Sequence, residues 1–291
     1  MLNDAFELRV LHTSDEMAAV ERLQGVIWGG GDLEVVPGHL LVTFAHNGGM
    51  AAGAFAGDEL VGFVYGFPGL DTTTDPPRLK HCSHQLGVHP DHAGAGLGFA
   101  LKRLQWAFVR GQGIERITWT YDPLLARNAQ LNFAKLGAVC NTYVRNLYGE
   151  MQDDLNAGLP SDRFQVDLWV NSSRVIACMD EEARRRPTVA DCQAAGAVFV
   201  NPATPGGSPV PPDPTWGGEA SATAWLLEIP ADFLALKAAD PGLALAWRLG
   251  ARAAFETLFP AGYAVRDFIY EPGIAPRAVY VLSNDSAPLA T

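Results

Sequence analysis

Residues 89–98, HPDHAGAGLG, follow the strand-like run SHQLGV and lead into FALKRLQWAFV, whose apolar residues recur at helical spacing. A glycine-rich turn between a strand and a helix limits what the chain can be. The first turn of a helix has four amide N–H groups without intrahelical partners and the positive end of the helix dipole, and glycine lets a ligand approach both. A pyrophosphate suits such a turn. The alternative is a loop that needs glycine only for its backbone angles. Two other phosphate motifs do not fit. The dinucleotide fingerprint G-x-G-x-x-G follows its strand almost directly, whereas here residues 89–93 intervene and the spacing is Gly94, Gly96, Gly98. The Gly-Lys-Ser/Thr of a P-loop is absent.

The elements around the turn are legible from periodicity. FELRVLH reads as a first strand, and TSDE supplies a capping box, Thr13 with Glu16, before Met17, Val20, Leu23 and Ile27 at helical spacing. A second helix is expected near PGHLLVTFAHN. MAAGAFAGDELVGFVYGFPG reads as two strands turning at Gly57 and Asp58, and HCSHQLGV as a fourth strand. Leu97, Ala100, Leu101, Leu104 and Phe108 share one helix face, ERITWTY alternates as a strand, and LLARNAQLNFAKLGA is a helix ended by Gly137. The expected order is β-α-α-β-β-β-α-β-α-β.

Beyond it, Arg163–Val170 reads as one more strand. NPATPGGSPVPPDPTWGG at 201–218 holds six of the chain's twenty prolines and marks a loop or linker. TAWLLEIP, a helix from Pro241 with Leu243, Trp247, Phe255 and Leu258 inward, YAVRDFIYEP and RAVYVLS then give β-α-β-β. We therefore expect a catalytic domain over 1–160, a connecting strand and linker over 161–222, and a small domain over 223–291 acting as support, lid or dimer surface. A homodimer is the assembly this arrangement allows.

A net charge of −11 argues against a nucleic-acid or membrane surface, which needs excess Lys and Arg. Residues 81–145 nevertheless hold seven Lys and Arg against three Asp and Glu, so a small anion would prefer this stretch. With no long apolar span and no basic-then-apolar amino end, the expected compartment is the cytoplasm. Cys82, Cys140, Cys178 and Cys192 show no CxxC or scaffold spacing and read as reduced thiols.

LGVHPDHAGAGLGFALKRL resembles the first motif of the GNAT superfamily of acyl-CoA N-acyltransferases, in which a strand ending V-x-P leads into R/Q-x-x-G-x-G/A. The strand order is also similar, over about residues 5–150, and the whole chain is similar to a group of larger two-domain bacterial members. The resemblance implies an α/β (α+β) fold with a mixed, mostly antiparallel sheet flanked by helices and a second, smaller α/β domain. It implies acetyl-CoA, or another acyl-CoA, as co-substrate. The pantetheine arm would enter where the fourth and fifth strands part, pairing with backbone groups near Leu86 and Val88. Ala93, Gly94, Ala95, Gly96, Leu97 and Gly98 would hold the pyrophosphate, and Asn128 would contact the pantetheine. Two positions depart from the family pattern. Ala93 stands where the family has Arg or Gln, which shifts the work to amides and to Lys102 or Arg103. Phe133 stands where a Tyr often protonates the leaving thiolate.

Acyl transfer needs a deprotonated amine, a held carbonyl and a leaving thiolate. His84, four residues before Val88, suits the base, since imidazole titrates near neutrality. HQLGVH is similar to the H-x-L-x-V-H of the arylalkylamine N-acetyltransferases. Tyr143, with Tyr121 and Cys140 beside it, is the candidate acid. The alternative for each is an ordinary core or edge residue. His81, Cys82, His84, His89 and His92 invite a metal reading, but His81 and His84 face opposite sides of a strand, and no metal is expected. The resulting expectation is transfer from acetyl-CoA to a small amine or amino acid. An amino-acid N-succinyltransferase using succinyl-CoA and a non-catalytic CoA-binding or interaction protein are the alternatives.

Overall fold

A computed structural model describes residues 5–29, 35–149, 158–180, 186–201, 209–217 and 222–284. The chain divides into two compact units, one formed by Met1–Trp119 with Asp167–Met179, the other by Thr120–Val166 with Asp180–Thr291.

In the first unit the order is β1 (Glu7–Val10), α1 (Ser14–Trp28), α2 (Gly38–His46), β2 (Met50–Ala56), β3 (Glu59–Asp71), β4 (Arg78–Val88), a 3-10 turn (Pro90–His92), α3 (Leu97–Gly111) and β5 (Arg116–Tyr121). The expected capping box forms. Thr13 Oγ1 accepts from the Glu16 amide at 3.2 Å, and the Glu16 carboxylate accepts from the Thr13 amide at 2.9 Å. Gly57, with φ 59°, turns β2 into β3 as its position in the hairpin requires. β1 to β4 are antiparallel neighbours, and β4 pairs with β5 in parallel.

Each face of this sheet has its own core. Met17, Val20 and Leu23 of α1 and Leu41 of α2 pack on Phe55, Phe63 and Tyr65. On the other face Leu97 and Leu101 of α3 pack on Ala52, Ala54, Val61 and Val64. The small residues of β2 let α3 lie close to the strands. The carboxyl end of β7 (Arg163–Trp169) and α5 (Ser173–Met179) complete the unit. There Arg116 is clasped by Asp71 and Asp167, and Trp106 Nε1 donates to the Val170 carbonyl at 2.9 Å.

The second unit holds α4 (Ala126–Ala129), which runs into a π-helical turn (Gln130–Lys135), then β6 (Val139–Val144), α6 (Val189–Ala194), β8 (Val198–Phe199), β9 (Ala224–Ile229), α7 (Phe233–Ala239), α8 (Pro241–Leu258), β10 (Ala264–Glu271) and β11 (Arg277–Ser283). Its sheet has the order β6-β10-β11-β9-β8. Among these strands only the β8–β9 pair is parallel. Phe133, Phe164, Phe255 and Tyr280 meet edge to face at its centre. The buried Arg248 guanidinium grips the Asp122 carboxylate with two hydrogen bonds.

The fold is the expected α+β, mixed and mostly antiparallel arrangement, and every strand foreseen is present. Leu243 differs from expectation. It is 38% exposed in the first turn of α8, where the Asp240 cap at 2.9 Å holds the backbone and packing does not, while Trp247, Phe255 and Leu258 are buried. In the proline-rich stretch, residues 202–208 and 218 lie outside the described residues, and 209–217 form neither helix nor strand.

Candidate active site

The glycine turn begins where β4 ends. The His89 amide donates to the Val61 carbonyl at 2.8 Å, tying the strand end to β3, and the His89 Nδ1 accepts from the Asp91 amide at 3.2 Å. Two further bonds, Ala93 N–H to Pro90 O at 3.0 Å and Ala95 N–H to His92 O at 3.3 Å, wind the chain toward α3. Gly94 and Gly96 then take φ of 87° and 84°, the left-handed region that favours glycine. A Cβ at either would meet no atom within 4 Å, so conformation, not crowding, requires glycine there. Gly96 stands at the N-cap and brings no side chain to the helix, which leaves the first-turn amides of α3 uncapped. Leu97 is buried and anchors the helix start, so the uncapped first turn of α3 stands on a fixed base.

Below the turn, β4 and β5 form a fork. They pair only at His81↔Ile117 and Cys82↔Thr118. Beyond those residues the β4 backbone from Ser83 to Val88 has no β5 partner along that edge, while its other edge stays paired with β3 through Val64↔Leu86 and Gly62↔Val88. The Leu86 and Val88 side chains pack with the α3 core. An unpaired strand edge beside uncapped helix amides can bind a long ligand with amide groups and an anionic end.

His84 sits on a β-bulge. Tyr65 pairs with Gln85 and Gly66 with Ser83, which leaves His84 as the extra residue of β4. The bulge turns both His84 and Gln85 toward the α2 side of the sheet. The His84 ring lies 5.6 Å from that of Tyr65 and 6.1 Å from that of Phe67, and Tyr65 Oη donates to Gln85 Oε1 at 2.7 Å. Solvent reaches the imidazole, yet the surrounding protein displaces enough water to hold its pKa below the ordinary value. At neutral pH the ring is therefore unprotonated and can accept a proton.

His81 lies on the other face, fully buried, with Nε2 3.2 Å from Gln105 Nε2. Burial, with the Lys102 charge beside it, pushes its pKa down to about 4. Among the described residues no group of three or more His, Cys, Asp and Glu could hold a metal ion.

Lys102 was an expected pyrophosphate contact, and the structure corrects that. Its side chain turns inward to Ser83 Oγ at 2.7 Å, because the α3 face bearing Gln105, Trp106 and Val109 is buried. Arg103 is exposed. The sequence signal for Lys102 was its place one turn before Gln105 and Trp106, and the bulge at His84 had no signal in the sequence.

Three expected residues belong to the second unit. Asn128 lies half-buried in α4, its amide donating to Leu125 O at 3.0 Å. Phe133 is fully buried in the aromatic cluster. Tyr143 Oη donates to the Asp162 carboxylate at 2.7 Å, and burial followed by that carboxylate raises its pKa far above the phenol value. Asp162 also accepts from Arg252 Nε at 2.9 Å and from the Asn146 amide at 2.9 Å. Tyr143→Phe is thus expected to cost about 1.5 kcal/mol of stability by urea unfolding, from one lost bond to a charged group.

Residues 22–138 match the model of the acetyltransferase (GNAT) family. No curated protein is similar to the chain. Solved structures similar to it include a putative GNAT-family acetyltransferase from Desulfovibrio desulfuricans, 18% identical, covering 57% of this chain and 99% of that one with a TM-score of 0.46. The ribosomal-protein-S18-alanine N-acetyltransferase from Escherichia coli is 17% identical, covering 58% and 96% with a TM-score of 0.43. A putative acetyltransferase from Salmonella typhimurium, solved with its cofactor acetyl-CoA, is 15% identical, covering 58% and 96% with a TM-score of 0.45.

Proposed function

We propose that this chain, whose residues 22–138 belong to the GNAT acetyltransferase family, transfers an acyl group from acetyl-CoA directly to the nitrogen of a small amine or amino acid. The observation that carries the reading is the continuity of two features, the uncapped amides after Gly94 and Gly96 and the unpaired β4 edge below them. In this reading the pyrophosphate rests on the amides of Gly94 and of Gly96 to Gly98, without a side chain from Ala93. The pantetheine amides pair with the backbone near Leu86 and Val88. Acetyl-CoA supplies the activated acyl group.

Our reading makes His84 the base, because an imidazole that stays neutral at pH 7 can take the proton an attacking amine must lose. Tyr143 donates its hydroxyl hydrogen bond to Asp162 and holds its proton tightly, so we assign it a structural part and not the acid's.

Isothermal calorimetry with CoA tests the turn. A valine at Gly96 needs a left-handed backbone that L residues with a branched Cβ avoid at a cost of about 1–2 kcal/mol, so it shifts the amides. Gly96→Val is expected to weaken CoA by about ten- to a hundredfold, equivalent to one charge-assisted bond or slightly more. Equal affinities for native and variant protein would remove the turn from CoA binding. Release of free thiol across a panel of amines and amino acids then identifies the acceptor.

A further inference from the structure

Lys102 is the one buried lysine among the described residues, and no carboxylate pairs with it there. Its Nζ donates to Ser83 Oγ at 2.7 Å and Gln105 Oε1 at 3.3 Å, and lies 4.1 Å from the centre of the Trp119 ring. Its titratable neighbour is His81 of β4, whose Nδ1 is buried without a partner. α3 itself offers Gln105, and β5 offers the Trp119 face. Burial pushes the Lys102 pKa down to about 7. Such an arrangement costs stability, since a methionine could fill the same space without desolvating an amine.

The place of this amine in the fork gives it a use. β4 and β5 last pair at Cys82 and Thr118, and the residues Lys102 touches, Ser83 and Trp119, are the next on each strand. The ammonium therefore sits at the base of the fork on the α3 side. His84, the next residue of β4, turns to the α2 side. A base and a proton donor thus flank the fork from opposite faces. That is the arrangement a displacement needs when the amine enters from one side and sulfur leaves on the other.

We propose that Lys102 donates the proton that the CoA sulfur takes up as it departs, an inference that rests on the acyl-transfer reading above. The acceptor nitrogen forms a bond to the acyl carbon and yields its proton to His84. The carbon–sulfur bond breaks, and an Nζ proton of Lys102 passes to sulfur, giving the amide and neutral CoA thiol. Lys102 then regains a proton from water and His84 releases one, so both return to their starting states.

The test needs only CoA and no acceptor. The ultraviolet absorbance of the thiolate follows the titration of the CoA thiol, free and bound to native, Lys102→Met and Lys102→Gln proteins. A cation next to sulfur stabilises the thiolate, so the thiol bound to native protein is expected to titrate about one to three pH units below free CoA. Bound to either variant it is expected to titrate as free CoA does. The same titration in native and variant complexes overturns the proposal while leaving CoA binding intact. Loss of CoA binding in both variants also overturns it, by making Lys102 a binding residue. Failure of native protein to bind CoA defeats the acyl-transfer reading and this proposal with it. Lys102→Met is further expected to raise Tm, whereas a merely structural lysine would lower it on removal.

Discussion

His84→Ala is expected to lower kcat by about 10²- to 10⁴-fold, the usual range for loss of a general base, while calorimetry finds CoA affinity unchanged. The division follows from position. His84 occupies the bulge on the α2 side of β4, and the turn we propose for the anion begins after Val88 at the end of that strand. Removing the imidazole leaves the strand pairing, the fork and the glycine turn in place. The pH dependence gives a second readout. A base must be neutral, and the His84 pKa lies below the ordinary imidazole value, so activity should hold as pH falls to about 6.5 and decline only below it. In the alanine variant that acid limb should vanish from the residual rate. If the variant matched native turnover from about pH 6 to 9, His84 would lose the base role.

Asp122→Ala should have the largest effect on stability, about 3–5 kcal/mol, the cost of leaving one partner of a buried ion pair uncompensated. Arg248 is 1% exposed on α8, and its guanidinium grips both oxygens of Asp122. The Asp122 carboxylate also accepts from the Leu124 amide at 2.9 Å, ordering the turn that leads into α4. Without it, a guanidinium that cannot shed its charge remains near Tyr280, Tyr143 and Phe233. Replacing both partners, as Asp122→Leu with Arg248→Met, is expected to recover most of the loss, because the desolvation cost then disappears from both sides. Urea unfolding of the three proteins decides the matter. A single variant within about 1 kcal/mol of native would show that the pair is dispensable.

The sequence is informative wherever local chemistry alone determines structure. Thr13 and Glu16 announce a capping box, Gly57 a hairpin, and glycines at 94 and 96 a left-handed turn; all three form. The elements of the first 144 residues follow the same way, since their apolar periods match their structure. What could not be read depends on partners distant in sequence. The bulge at His84 exists only in the register between β3 and β4, and alternation within β4 gives no sign of it. Lys102 shares a helix face with Gln105 and Trp106, but its partners Ser83 and Trp119 lie on strands distant in sequence. Leu243 keeps helical spacing with Trp247 yet remains exposed, because periodicity describes a face and not how far along the helix that face is covered. The short helices α6 and α7 had caps at Thr188 and Asp232, but too few apolar repeats to be recognised.

The pairing of β6 with β10 has a consequence for how the protein is made. Cys140 lies opposite Val265, so a strand synthesised before the middle of the chain finds its neighbour only near the end. At ribosomal rates of about 5–20 residues per second, the roughly 125 intervening residues take about 6–25 s to appear. During that interval the edge of β6 that pairs with β10 is open. Slow or paused translation between β6 and β10 would prolong that interval. The yield of soluble protein should therefore depend on codon choice between β6 and β10 even where the encoded sequence is unchanged.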